Sequence, residues 1–258
     1  MKKYSIEERS RAFVDVVCAV LGKDDSIEES GEEIVQKIPK RHCPDQSVGI
    51  VAEICERVID PCDVPFKRDD IDYGESEANV GINGRVVVVL ESPHKYEFRK
   101  HGKDWTPVGP ACCCTGCRLA RNWRKIFDER FDERELVLVN AVQYQCSLAA
   151  AGSKYKRFKD EIVWQCLSNE ILKDDFEMRI QALNGGGVFF VNACTGWGKA
   201  GSAHEKVADI LKECKITALD LSHPSSWRCP KDVKAQRKKV VEFFDVKNSN
   251  DNDYWVAD

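Results

Sequence analysis

Three side chains stand directly after apolar runs in this 258-residue chain: Glu91 after "RVVVVL", Asn140 at the end of "ELVLVN" and His223 after "ITALDLS". A carboxylate can stabilise a developing cation or orient a water. An imidazole can donate a hydrogen bond to a developing anion. A carboxamide offers both a donor and an acceptor to a planar heteroatom edge. Each has a plain alternative. Glu91 could cap a helix or pair with a lysine, Asn140 could satisfy loop backbone groups, and His223 could be an ordinary turn histidine. Their joint position weighs against those alternatives, because ligands of open α/β sheets bind beyond the carboxyl ends of the strands.

The runs that carry these residues read as strands. Arg85–Leu90, Glu135–Asn140, Gly187–Asn192 and Ile216–Leu221 are rich in β-branched and apolar residues without strict alternation, the pattern of strands covered on both faces. Helical patterns over Gly116–Phe127, Phe158–Leu172, His204–Glu213 and Lys231–Phe244 separate or follow them. Strand–helix alternation predicts an α/β fold, a three-layer α/β/α arrangement around a central four-stranded, mostly parallel sheet. One edge of that sheet then gathers Glu91-Ser92-Pro93-His94, Asn140, Asn192 and His223.

Upstream, apolar residues recur at helical spacing over Ile6–Leu21 and again over Gln46–Ile59, where Val48, Val51, Ile54, Cys55 and Val58 mark one face. The organisation expected is an amino-terminal helical segment (1–64), a linker around Pro61–Gly84, an α/β domain (80–246) and a polar tail (247–258). Gly185–Gly187 precedes a strand and reads as a turn. With no Walker sequence and no GxGxxG after the first strand, nucleotide-cofactor readings lose support.

The motifs resemble those of the uracil-DNA glycosylase superfamily. Its first motif is GQDPYH in one branch and GEAPG in another; this chain has "LESPH". The GEAPG branch continues with a PFVGPAG-like stretch, and "PVGPA" stands at Pro107–Ala111. A strand ending LLLN is matched by "LVLVN", and a closing HPSP or HPSA motif by "HPSSW" at His223–Trp227. The similarity covers roughly Arg85–Phe244.

The resemblance implies a monofunctional DNA glycosylase. Glu91 would stabilise the sugar cation and orient water, and His223 would stabilise the departing base. Asn140 would read the base, and Phe98 or Tyr96 would stack on an extruded nucleobase. Ser225 and Ser226 would hold a phosphate. Trp227 stands where the family inserts a wedge into the duplex, although a helix-entry staple is an equal reading. Arg228 and Lys231 continue toward the DNA backbone.

Two departures bear on the substrate. Ser92 and His94 replace the Asp and Tyr of GQDPYH. That Tyr excludes 5-substituted pyrimidines, so its loss points to uracil or a bulkier modified pyrimidine. A role in repair follows, or in antiviral defence if the base is one that viruses use. His94 is either a further polar contact or a loop histidine.

The GEAPG branch often holds an iron–sulfur cluster on four cysteines. Here Cys114 and Cys117 form C-x-x-C, but no second pair has metal spacing. Cys146 and Cys166 lie in loosely the right region, and Cys55 and Cys62 are too far apart. No cofactor and no metal are expected. Thirteen cysteines without a secretory signal argue against a disulfide framework. Cys18, Cys55, Cys166 and Cys194 read as small buried hydrophobes.

The formal net charge of −4 does not announce a nucleic-acid partner, but local clusters matter more than totals. Basic residues gather in "GSKYKRFK" (Gly152–Lys159), in Arg118, Arg121, Arg124 and Lys125, and in Arg228, Lys231, Lys234, Arg237, Lys238 and Lys239. Taken singly, each cluster reads as a solvated helix face. Acidic residues concentrate in Asp24–Glu33, Asp69–Glu77 and the tail, away from any DNA face. With neither a signal peptide nor an apolar run of membrane-spanning length, the expectation is a cytoplasmic monomer that acts on DNA. A non-catalytic DNA- or nucleotide-binding module on the same scaffold is the main rival, and a cysteine-based metal or redox protein is the third.

Overall fold

The computed structural model describes residues 3–24, 26–27, 29–37, 42–51, 69–70, 84–102, 104–112, 114–127, 129–196 and 198–250. Its centre is a six-stranded sheet. The strands are β1 (Gln46–Ile50), β2 (Asp69–Asp70), β3 (Arg85–Leu90), β6 (Glu135–Asn140), β7 (Val188–Asn192) and β8 (Ala218–Asp220), in the order β2-β1-β6-β3-β7-β8. A separate two-stranded hairpin joins β4 (Phe98–His101) to β5 (Asp104–Pro107). The four expected strands β6, β3, β7 and β8 are mutually parallel. Strand β1 pairs antiparallel with β6 on the far side.

Strand β3 explains the architecture. All six of its residues are buried, and period-2 alternation sends successive side chains to opposite faces. Val87 and Val89 join one core cluster, with Val137, Val139 and Phe190 of the neighbouring strands. Val86, Val88 and Leu90 join the other, with Leu136, Leu138 and Val191. Full burial of each valine is worth about 1.5–3 kcal/mol, so both faces demand helices.

On the first face lie α1 (Ile6–Leu21), α2 (Gly31–Gln36), α4 (Lys159–Cys166), α5 (Glu170–Leu183) and α6 (Ala203–Glu213). On the second lie α3 (Cys114–Phe127) and α7 (Pro230–Asn250). The result is the expected three-layer α/β/α fold. Helix α1 starts with a capping box, Ser5 and Glu8 satisfying each other's backbone N–H groups. It buries Phe13, Val16, Val17, Val20 and Leu21 and stacks Phe13 on Tyr144 at 5.0 Å.

The helix expected over 46–59 is different. Gln46–Ile50 is a strand, and 52–59 lies outside the described residues, as does most of the Pro61–Gly84 linker. The register of β1 on β6 shifts between Ser47 and Ile50. The irregularity lets Val48 and Val51 enter the same core, so a bulged edge strand imitates helical spacing. The helix expected over Phe158–Leu172 is instead two, with Asn169 capping α5 by accepting from Ile171 N and Leu172 N. Helix α7 runs to Asn250, beyond its expected end at Phe244. The rest of the tail, 251–258, is outside the described residues.

Candidate active site

Glu91, Asn140 and His223 converge on one cleft of about 850 Å³ beyond the carboxyl ends of β3 and β6. Going along the sheet from β6 to β8, the chain order is second, first, third, fourth. Successive connections from β3 therefore leave in opposite directions, which opens a crevice at its carboxyl end. Ser92, His94, Tyr96, Ser225 and Arg228 line the same cleft.

Glu91 is 2% exposed, and its carboxylate pairs with Lys159 Nζ at 2.5 Å. Burial works against the Lys159 ammonium, but the adjacent Glu91 carboxylate more than offsets it and the pKa rises. The two side chains thus meet at the cleft floor.

Asn140 ends β6 and is fully buried. Its backbone is clamped from two sides. The N–H donates to Asp45 Oδ1 at 3.1 Å, and the carbonyl accepts from Arg179 Nη1 at 3.1 Å. Arg179 also meets Asp45 at 2.6 Å, Asp175 at 2.9 Å and the Ala141 carbonyl at 3.1 Å. In the side chain, Nδ2 donates to Glu97 Oε2 at 3.4 Å, which fixes the amide's orientation. Oδ1 has no hydrogen-bond partner among the described residues. Asn140 lines the cleft floor, and its unpartnered Oδ1 and second Nδ2 hydrogen are together the complement of a ring N–H next to a carbonyl.

His223 caps the turn Pro224–Ser226, its Nδ1 meeting Ser225 Oγ at 2.8 Å and accepting from Ser225 N at 3.2 Å. A backbone N–H can only donate, so Nδ1 is unprotonated and Nε2 carries the hydrogen. Burial, with Lys159 and His94 nearby, pushes the pKa down to about 3. The imidazole is therefore a neutral Nε2–H donor throughout the physiological range.

The turn itself is braced from α3. Arg118 Nη1 donates to the Ser225 carbonyl, and Asn122 Nδ2 donates to the Trp227 carbonyl at 3.2 Å. Ser226 Oγ donates to the His223 carbonyl at 2.8 Å and is spent on the turn.

His94 caps the short turn Lys95–Glu97 at the cleft mouth, its Nδ1 accepting from the Tyr96 backbone N–H at 3.4 Å. Desolvation in the cleft and the cations Lys95, Lys159 and Lys156 draw the His94 pKa down. Tyr96 is 59% exposed at the rim, its ring 4.9 Å from that of His94. Ser92 Oγ is buried with no hydrogen-bond partner among the described residues.

Four expected site residues do not line the cleft, and Ser226, exposed on the turn, is one of them. Phe98 is buried at the start of β4 and does not line the cleft. Trp227 is 2% exposed in the second core, with Nε1 donating to the Ser222 carbonyl at 3.0 Å. A ring packed and bonded this way is an anchor for the turn and not a wedge at the surface. Lys231 is exposed on α7, off the cleft.

Other lining residues emerge only from the fold. Arg99 arrives on the β4–β5 hairpin, Lys156 on the turn before α4, and Lys159 as the first residue of α4. Gly102, at φ +61° between β4 and β5, was the available turn signal for the hairpin. The clamp of Asp45 and Arg179 has no local sequence signature.

A four-cysteine cluster does not fit these residues. Cys117 lies in the core on one face of the sheet, and Cys146 and Cys166 lie in the core on the other. Cys55 and Cys62 are outside the described residues. Among the described residues no group of three or more His, Cys, Asp or Glu side chains is placed to hold a metal ion. Nor is any described helix long and apolar enough to cross a membrane. No family model, curated protein or solved structure matches this chain.

Proposed function

We propose that the cleft hydrolyses the N-glycosidic bond of a uracil or 5-substituted pyrimidine extruded from DNA, leaving an abasic site. The observation that carries the reading is the convergence of Glu91, Asn140 and the neutral His223 on one cleft large enough for a nucleotide. Asn140 accepts from the ring N–H and donates to the adjacent carbonyl. The C1′–N bond breaks with its electron pair leaving on the base, and His223 Nε2–H stabilises the resulting anion. Glu91 stabilises the sugar cation and orients the water that attacks C1′. The released base takes up a proton, and the sugar keeps the hydroxyl.

The cations Arg99, Lys156 and Arg228 around the opening suit the flanking phosphates. No tyrosine closes the position after Pro93, where His94 sits exposed at the mouth. That supports room for a 5-substituent. A defence role would follow from a virally used base.

The Glu91–Lys159 pair favours a second reading, because a neutralised carboxylate also suits a cleft that binds a nucleotide without cleaving it. Incubation with DNAs carrying uracil or 5-substituted pyrimidines, with free base and alkali-labile breaks as readouts, tests the proposal. Base release supports hydrolysis. Binding without release from any substrate supports the second reading.

A further inference from the structure

A second groove, of about 700 Å³, runs between α3 and α7 and meets the cleft at Arg228, which lines both. Six cations line it: Arg118, Arg121 and Lys125 from α3, Arg228 from the turn, and Lys234 and Arg237 from α7. No acidic residue lines it among the described residues. Helical geometry explains the arrangement. Positions 118, 121 and 125 fall on one face of α3, and 234 and 237 share a face of α7. The helices are held together there, with Arg237 Nη1 donating to the Lys125 carbonyl at 3.3 Å. In a chain of net charge −4, such a single-sign strip is a local concentration of charge against the overall balance.

We infer that this groove is a track for the phosphate backbone of a nucleic-acid strand that enters the cleft past Arg228. The inference rests on the cleft taking a nucleotide of a DNA strand, and it adds the path of the flanking strand, along α3 and α7. The span from Arg118 to Lys125 is about 10 Å at 1.5 Å per residue. That matches roughly three phosphates of one strand at about 3.4 Å axial spacing. The track is also mechanically joined to the site, since Arg118 and Arg228 Nε both donate to the carbonyl of Ser225, two residues from His223. A strand seated in the groove therefore presses on the turn that aims the imidazole. An acidic protein would satisfy the charge but would not account for the join to the cleft.

The test is fluorescence anisotropy of a labelled 20-nucleotide DNA, single-stranded and duplex, against the full chain across a salt series. Wild type is compared with Lys125→Glu/Lys234→Glu/Arg237→Glu and with the milder Lys234→Gln/Arg237→Gln. These side chains are exposed, and thermal melting verifies that both variants are folded. The triple variant should bind at least about tenfold more weakly near 150 mM salt, and its log Kd against log salt slope should fall by about two on the single strand and about three on the duplex, as expected when roughly three phosphate contacts are lost. The double variant should lie between.

Equal affinity and slope in wild type and both variants would overturn the inference, as would wild type that binds no oligonucleotide. Base release is scored separately in the same samples. Weakened binding in the variants with no release by wild type would sink the hydrolytic reading and leave the track standing.

Discussion

At the residue scale, the cleft depends on how the Glu91 side chain is held. A carboxylate so deeply buried needs a counter-charge, and Lys159 provides it at 2.5 Å. Lys159→Gln strands that buried carboxylate and should cost about 3 kcal/mol in chemical denaturation, and a cost below about 1 kcal/mol would exclude the pairing role. His223 makes a second prediction. Its folded pKa of about 3 lies below the ordinary 6.5, so only the unfolded chain binds the proton between those values. The associated stability is fully present above about pH 6.5 and is lost as pH falls toward 3. Thermal melts of His223→Asn should therefore lose less stability than wild type between pH 6.5 and 4.

At the scale of elements, the site is held by devices remote in sequence. The buried Asp45–Arg179 pair grips both backbone groups of Asn140 and so fixes the end of β6. Arg179→Leu strands the Asp45 carboxylate in the interior and should cost about 3–5 kcal/mol in chemical denaturation. A cost below 1 kcal/mol would show that the clamp is dispensable. These elements were unequally legible. Strands β3, β6 and β7 announced themselves because burial on both faces demands continuous apolar runs. Parallel pairing then brings their carboxyl-end residues to one edge of the sheet. Strand β1 was hidden because its bulge gives Val48 and Val51 a helical interval. The β4–β5 hairpin was hidden because its exposed residues carry no apolar pattern. Trp227 shows the opposite limit: an aromatic beside the motif suits a surface wedge or a staple equally by sequence, and only its burial in the second core makes it an anchor for the turn.

At the scale of the whole molecule, charge is partitioned. Cations line the cleft mouth and the α3–α7 groove, while the net charge remains −4. Polynucleotide binding should accordingly weaken steeply with salt, whereas release of base from an already bound strand should not. Single-turnover rates at saturating protein, taken from 50 to 200 mM salt, separate the two. The cores on the two faces of the sheet keep Cys117 apart from Cys146 and Cys166. Chelator treatment should therefore leave base release unchanged.

The most direct measurement is the single-turnover rate of base release by wild type, Glu91→Gln and His223→Ala, with DNA affinity determined on the same preparations. The account predicts release by wild type, a fall of about 10²–10³-fold in each variant and affinities that stay within a few-fold. Release at wild-type rates from either variant, or loss of release only in step with loss of binding, would contradict it.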